Sequence, residues 1–224
     1  MRRMSTLAGT AALATLATVA FSPSAQAATN GSCRLVVPAQ VRIVGPYQAV
    51  KTTLSGTCTS YASSVFATWT GYTSQGAEDG VLFDSVTSDY WDIYDWHTLG
   101  VVSWREAWAT EQNNWNEFTP NTPTTTVRLG SWTSLKAVRS GSRVTLTSTG
   151  TRYATTVQKR IPWQTTATLQ YRPVGTTTWK TLKKATATKG ALTYSYTSKA
   201  ARDYRVSYAG GTTIWSSTSS TVRK

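Results

Sequence analysis

From about residue 132 to the C-terminus, apolar and polar side chains alternate in short runs. Val144 and Leu146 stand against Arg143, Thr145 and Thr147, and Leu169 and Tyr171 against Thr168, Gln170 and Arg172. Leu192, Tyr194 and Tyr196 keep the rhythm, as do Tyr204, Val206 and Tyr208 against Arg205 and Ser207. A period of two sends successive side chains to opposite faces, so each run predicts a strand with one buried face. Residues 128–224 hold 22 threonines, whose β-branched side chains suit a pleated surface and disfavour helix. Turn signals separate the runs at Ser140-Gly141, Pro173-Val174-Gly175, Lys189-Gly190 and Gly210-Gly211. Six or seven short strands at this spacing predict an immunoglobulin-like sandwich.

The first half gives a weaker pattern of the same kind. Residues 49–58 and 64–72 read as strands, and residues 124–129 read as a last strand leading across a boundary. Between them, Val101, Trp104, Trp108, Trp115 and Phe118 fall at helical spacing, yet Val102, Trp104, Glu106 and Trp108 also alternate as in a strand. Asn113 and Asn114 would weaken a helix there, so the expectation is a strand followed by a loop. The fold class expected is therefore all-β: two tandem immunoglobulin-like β-sandwich domains.

Charge divides the chain at the same place. Residues 28–127 carry four Lys/Arg against nine Asp/Glu, a balance of −5, whereas residues 128–224 carry seventeen against one, Asp203, a balance of +16. The break follows the stretch Thr119-Pro120-Asn121-Thr122-Pro123-Thr124, whose composition marks a domain boundary. Ahead of both domains, Arg2 and Arg3 precede an uncharged run from Leu7 to Phe21 and then Ala25-Gln26-Ala27, the small-x-small pattern of a signal peptidase site. Residues 1–27 are read as a signal peptide, 28–127 as an acidic, Trp-rich domain and 128–224 as a strongly basic one. Export makes a disulfide between Cys33 and Cys58 the expected state of the two cysteines, worth roughly 3.5 kcal/mol for a loop of about 26 residues.

The stretches Thr165 to Pro173, Thr178 to Lys183, Lys189-Gly190 and Asp203 to Gly210 resemble the immunoglobulin-like modules of exported actinobacterial proteins. That resemblance covers roughly residues 132–224. A looser one covers the first half, where Cys33 to Cys58 and the region from Phe83-Asp84 to Tyr94-Asp95-Trp96 are similar to the N-terminal domain of small secreted proteins of the same bacteria. It implies the fold, export and an extracellular or cell-surface setting, and it carries no catalytic residue across. Tyr204 stands where sandwiches place a tyrosine corner and is read as structural.

Chemistry has few candidates. Asp84, Asp89, Asp92 and Asp95 with His97 are interleaved with aromatic residues, and such carboxylates serve glycosidases or a calcium site. On a strand Asp92 points away from Asp89 and Asp95, and no calcium-loop motif is present, so the set is read as a solvated acidic rim, with calcium as an alternative. His97 is the single histidine, which leaves triads and zinc-water mechanisms one candidate at best. No Gly-x-Ser-x-Gly, His-Glu-x-x-His or phosphate loop occurs, so neither a catalytic residue, a metal nor a cofactor is expected. Seven of the ten tryptophans lie at or before Trp132; most serve as core, and Trp115, among Asn113, Asn114 and Asn116, is the candidate for an exposed sugar platform.

The basic half is the stronger functional signal. Arg143, Arg172 and Arg205 alternate with core positions and should face outward, and Lys159-Arg160 and Lys183-Lys184 cluster near turns. A surface with this charge concentrates polyanions. The function expected is that of a secreted, non-enzymatic protein that associates electrostatically with an anionic cell-wall or extracellular polymer. Nucleic acid is expected to bind it only non-specifically, and no membrane span is expected in the mature chain. The alternative is a carbohydrate-binding or calcium-dependent module centred on the first domain.

Overall fold

The computed structural model describes residues 30–224, so the segment read as a signal peptide lies outside the described residues. Strands account for nearly all of the regular structure. In the first domain they are β1 (Ser32–Val36), β2 (Gln40–Ile43), β3 (Tyr47–Gly56), β4 (Val65–Thr73), β5 (Gly76–Asp84), β6 (Ser88–Tyr94), β7 (Gly100–Glu111), β8 (Asn116–Glu117), β9 (Thr119–Pro120) and β10 (Thr124–Leu129). One sheet runs β6-β3-β1-β9 and the other β2-β10-β7-β4-β5, with β8 folded back on β7.

The two inner faces meet in a core of large aromatic and aliphatic side chains. Trp69, Trp91, Trp104, Phe83, Ile43 and Ile93 are fully buried, Trp91 standing edge-on to Trp104 with ring centroids 4.9 Å apart. Each such ring removes a large apolar area from water, which suits a domain of only about 100 residues. Cys33 on β1 is disulfide-bonded to Cys58 in a 3-10 turn (Thr57–Tyr61), as expected. The bond ties the first strand to the turn that carries the chain toward the second sheet.

The second domain contains β11 (Ser131–Ser140), β12 (Arg143–Ala154), β13 (Lys159–Pro162), β14 (Thr166–Pro173), β15 (Lys180–Thr186), β16 (Ala191–Thr197), β17 (Arg202–Tyr208), β18 (Ser217–Thr218) and β19 (Val222–Arg223). Strands β11, β12 and β16 form one sheet with β13 against the end of β12, and β15-β14-β17 form the other, extended by β18 and β19. In both domains the first, second and fifth principal strands (β1, β3 and β6; β11, β12 and β16) share a sheet and the rest form the opposing one. That crossing pattern is the immunoglobulin-like Greek key. The alternation read from sequence holds: Val144, Leu146, Leu169, Tyr204, Val206 and Tyr208 are buried. Tyr204 is a core residue, its hydroxyl 2.6 Å from that of Tyr196.

The domain junction lies a little later than composition suggested. Strand β10 continues through Arg128 and Leu129, which pair with Arg42 and Ile43 of β2, and β11 begins after Gly130 alone. The Thr/Pro-rich stretch lies within the first domain and is paired there. Thr119 and Pro120 pair with β1, and the Asn121 side chain both accepts from the Leu35 N–H at 2.8 Å and donates to its carbonyl at 3.1 Å. Gly130 suits a close approach, since a Cβ there would stand 3.0 Å from the Ile43 carbonyl oxygen.

The two domains pack on each other. Tyr153 of β12, 1% exposed, belongs to the first domain's core, and its hydroxyl donates to the Asp95 carboxylate at 2.8 Å. Trp215 reaches back from the C-terminal segment: its indole N–H donates to the Val41 carbonyl at 2.8 Å, and its backbone N–H to Leu129. The Arg128 guanidinium lies 4.6 Å over its ring. Although the domains have opposite net charge, no ion pair joins them among the described residues.

Candidate functional site

The seven cations singled out from sequence are spread over the second domain. Arg143, Lys159, Arg160, Lys183 and Lys184 are exposed. Arg143 begins β12 and Lys159 pairs with Ala154 at its far end, so the two stand on the order of 35 Å apart along an extended strand. Lys183 and Lys184 lie on β15, an edge strand. Arg172 and Arg205 do face outward, but both are half-buried and flank one indole: their guanidinium carbons sit 4.7 and 4.2 Å from the centre of the Trp179 ring. Arg205 also donates to Gln170 at 2.8 Å. Arg160 caps Trp132 at 3.6 Å. Trp179, Arg139 and Arg202 complete this surface and were not singled out from sequence. Arg139 donates to the carbonyls of Ser198 and Ala200, and Arg202 covers Tyr171 at 4.3 Å.

The one acid of this half is withdrawn from solvent. Asp203 is 2% exposed and accepts from Arg223 at 2.7 Å and from Arg172 at 3.2 Å. Hydrogen bonding from Arg223 holds its carboxyl below the usual aspartate range, against the opposing effect of burial. Its position between Arg202 and Arg205, alone among seventeen cations, is the sequence signal that could have marked it as structural. The consequence is electrostatic: every charged side chain this domain turns to water is positive.

The acidic residues of the first domain are separated by the fold. Asp84 ends β5 and takes a 2.9 Å hydrogen bond from Gln112. Asp92 is exposed on β6 and accepts from the Tyr47 hydroxyl at 2.8 Å. Asp89 lies on the opposite face of β6, and Asp95, in the turn that follows, is committed to Tyr153 at the domain junction. Among the described residues no three His, Cys, Asp or Glu side chains gather as a metal-ligand set, and the four aspartates read as a calcium alternative are divided between two sheets and two faces. His97 is buried, its Nδ1 3.3 Å from Asp79, beneath Trp96. Burial raises the Asp79 carboxyl above its ordinary value, with His97 and Trp91 opposing.

Residues 101–111 are strand, as favoured from sequence, but the alternation slips. Opposite Thr68 and Thr70 of β4, strand β7 carries an extra residue between Trp108 and Arg105, and Glu106 has a left-handed φ of 51°. A bulge of this kind re-aims the side chains that follow it. Trp104 faces the core at 0% exposure, whereas Trp108, expected on the same face, is turned out at 45%. Outside, it meets Phe66 with ring centroids 5.6 Å apart. Trp115 follows in the turn to β8 and is 68% exposed. Phe66, Trp108, Trp115, Asp84, Thr110 and Gln112 line an open cavity of about 380 Å³ on this face.

No known family profile matches the chain, and no curated protein does. Among solved structures, domains A168–A170 of titin are similar to it at 12% identity and a TM-score of 0.29, over 85% of this chain and 65% of that one. This chain thus spans just under two thirds of that titin segment. A likeness this distant adds nothing to the strand order, on which the immunoglobulin-like assignment rests.

Proposed function

We propose that this is a secreted, non-enzymatic binding protein that holds an anionic cell-wall or extracellular polymer on its second domain. The observation that carries the reading is the burial and double pairing of Asp203, which leaves the other cations of residues 128–224 without an acidic neighbour in their own domain. A surface that is positive on all sides attracts an extended polyanion more strongly than a single phosphate, because a long chain meets cations tens of ångströms apart at once. The spread from Arg143 to Lys159 suits such a chain. Phosphate-bearing or carboxylate-bearing wall polymers are the class of partner, and nucleic acid binds only through its phosphates, without sequence preference. The disulfide supports an oxidising, extracellular compartment, in keeping with the signal peptide read at residues 1–27. Among the described residues no helix is long and apolar enough to cross a membrane.

The test is retention of the mature protein on purified cell walls and on immobilised poly-glutamate across a salt series. Binding should be lost by roughly 0.3 to 0.5 M NaCl, where screening shortens to a few ångströms. A variant carrying K159Q, R160Q, K183Q and K184Q should elute at distinctly lower salt. Retention that ignores salt, or that ignores these four substitutions, would rule out the electrostatic reading.

A further inference from the structure

The cavity between Trp108 and Trp115 has the features of a built site. Trp115 adopts φ 57°, a left-handed backbone conformation that bulky side chains rarely take and that folds retain where the side chain has a task. The turn is held from beneath by Glu111. This carboxylate is 1% exposed and accepts from the backbone N–H groups of Asn113 at 2.7 Å and Asn114 at 2.8 Å. Burial works to raise its pKa, but these hydrogen bonds prevail and keep it below the usual glutamate value. A buried ionised group thus fixes the loop that presents an exposed indole. In the same cavity the β7 bulge turns Trp108 outward onto Phe66.

The polar rim completes the chemistry. Asp84 accepts from Gln112 through Oδ1, and its Oδ2 makes no hydrogen bond among the described residues. Gln112 is itself pinned by its backbone N–H to Ser64. Two indoles offer flat apolar faces, and a carboxylate with an amide offers an acceptor and a donor or acceptor beside them. A pyranose has the complementary surfaces, a C–H face and equatorial hydroxyls. Asp84 sits within a domain of net negative charge and opposes a uronate or a phosphate, so the sugar is uncharged.

We propose that Trp115, Trp108 and Phe66, with Asp84 and Gln112, form a binding site for a neutral pyranose unit of a polysaccharide. The site lies on the first domain and is independent of the polyanion surface. It develops the single-tryptophan platform expected from sequence into a cavity with a second indole and named hydrogen-bonding partners.

The experiment is calorimetric titration of the full mature protein with soluble neutral polysaccharides, a β-glucan, a mannan, a galactan and an arabinogalactan. It is run at about 0.5 M NaCl so that charge contacts are screened. At least one should bind, and W115A and W108A should each weaken it about tenfold or more, with D84N weakening it less. Trp115 is largely solvent-exposed, so W115A should unfold at the wild-type temperature, which separates lost binding from lost folding. The proposal fails if no member of the panel binds, if binding appears only at low salt, or if W115A and W108A both bind as tightly as wild type. Failure here leaves the polyanion reading untouched, because that reading predicts release at this salt concentration.

Discussion

At the scale of single residues, charge and burial decide most of what is distinctive here. Asp203 is the clearest case. Its folded pKa is depressed, so its contribution to stability is present above the ordinary aspartate value of about 3.9 and is lost as pH falls through the folded value. The D203N variant should therefore unfold at lower temperature than wild type at pH 7, and the gap should close as pH falls below the ordinary aspartate value and through the depressed folded one. A pH series of thermal melts on the two proteins checks this; a gap that stays constant would mean the ion pairs with Arg172 and Arg223 contribute nothing. Trp115 is a residue-scale feature of another sort. The sequence shows an indole among asparagines, which is legible as an exposed ring. The left-handed backbone and the buried Glu111 beneath it are not legible, because both depend on which carbonyls and N–H groups the finished turn leaves unpaired.

At the scale of elements, alternation is a faithful guide until a strand carries a bulge. It placed β12, β14, β16 and β17 and their buried faces, since those strands run without interruption against a hydrophobic opposite sheet. It misplaced Trp108, because one extra residue in β7 inverts every side chain beyond it, and nothing in residues 101–111 announces the insertion. Edge strands tell a related story. The lysines of β15 stand on an open sheet edge, where charge also discourages pairing with another chain, so Lys183 and Lys184 serve the fold whether or not they touch a ligand. The turn that carries the chain from β15 across to β16 is closed by a bridge between Thr188 and Ala191 and runs through Lys189 and Gly190, with φ of 48° and 77°. Asparagine tolerates that first position better than lysine. K189N should raise stability by about 0.5 kcal/mol, measured by urea unfolding with an unchanged m-value. A loss of stability would show that Lys189 makes contacts that outweigh its backbone strain.

At the scale of the whole molecule, the domains are joined by packing and hydrogen bonds rather than by their opposite charges. Tyr153 and Trp215 do this work from the second domain. Burial, reinforced by the hydrogen bond to Asp95, pushes the Tyr153 hydroxyl up to about 12. A tyrosine with a raised pKa contributes its stabilisation fully below its ordinary value near 10 and loses it as pH rises through the folded value. Y153F leaves Asp95 buried without its donor, so it should lower the melting temperature at neutral pH and blunt the alkaline decline above about pH 10. Calorimetry of wild type and Y153F would show it; identical alkaline limbs would mean the junction opens before the tyrosine ionises.

The sequence by itself determined that this chain is all-β, that it contains two sandwiches, that its cysteines pair and that one half is overwhelmingly cationic. Those properties are local or additive: side-chain alternation, turn residues, cysteine number and summed charge are each readable without knowing what lies opposite. Only the tertiary structure decided that the Thr/Pro-rich stretch pairs with β1, that Asp203 is neutralised under Arg172 and Arg223, that Asp95 seals a junction instead of joining an acidic cluster, and that Trp108 swings out against Phe66 to line one cavity with Trp115. Each of these depends on residues far apart in the chain meeting across sheets, and on a one-residue slip in register. Such meetings are fixed by the packing of whole faces, which no single stretch of sequence contains.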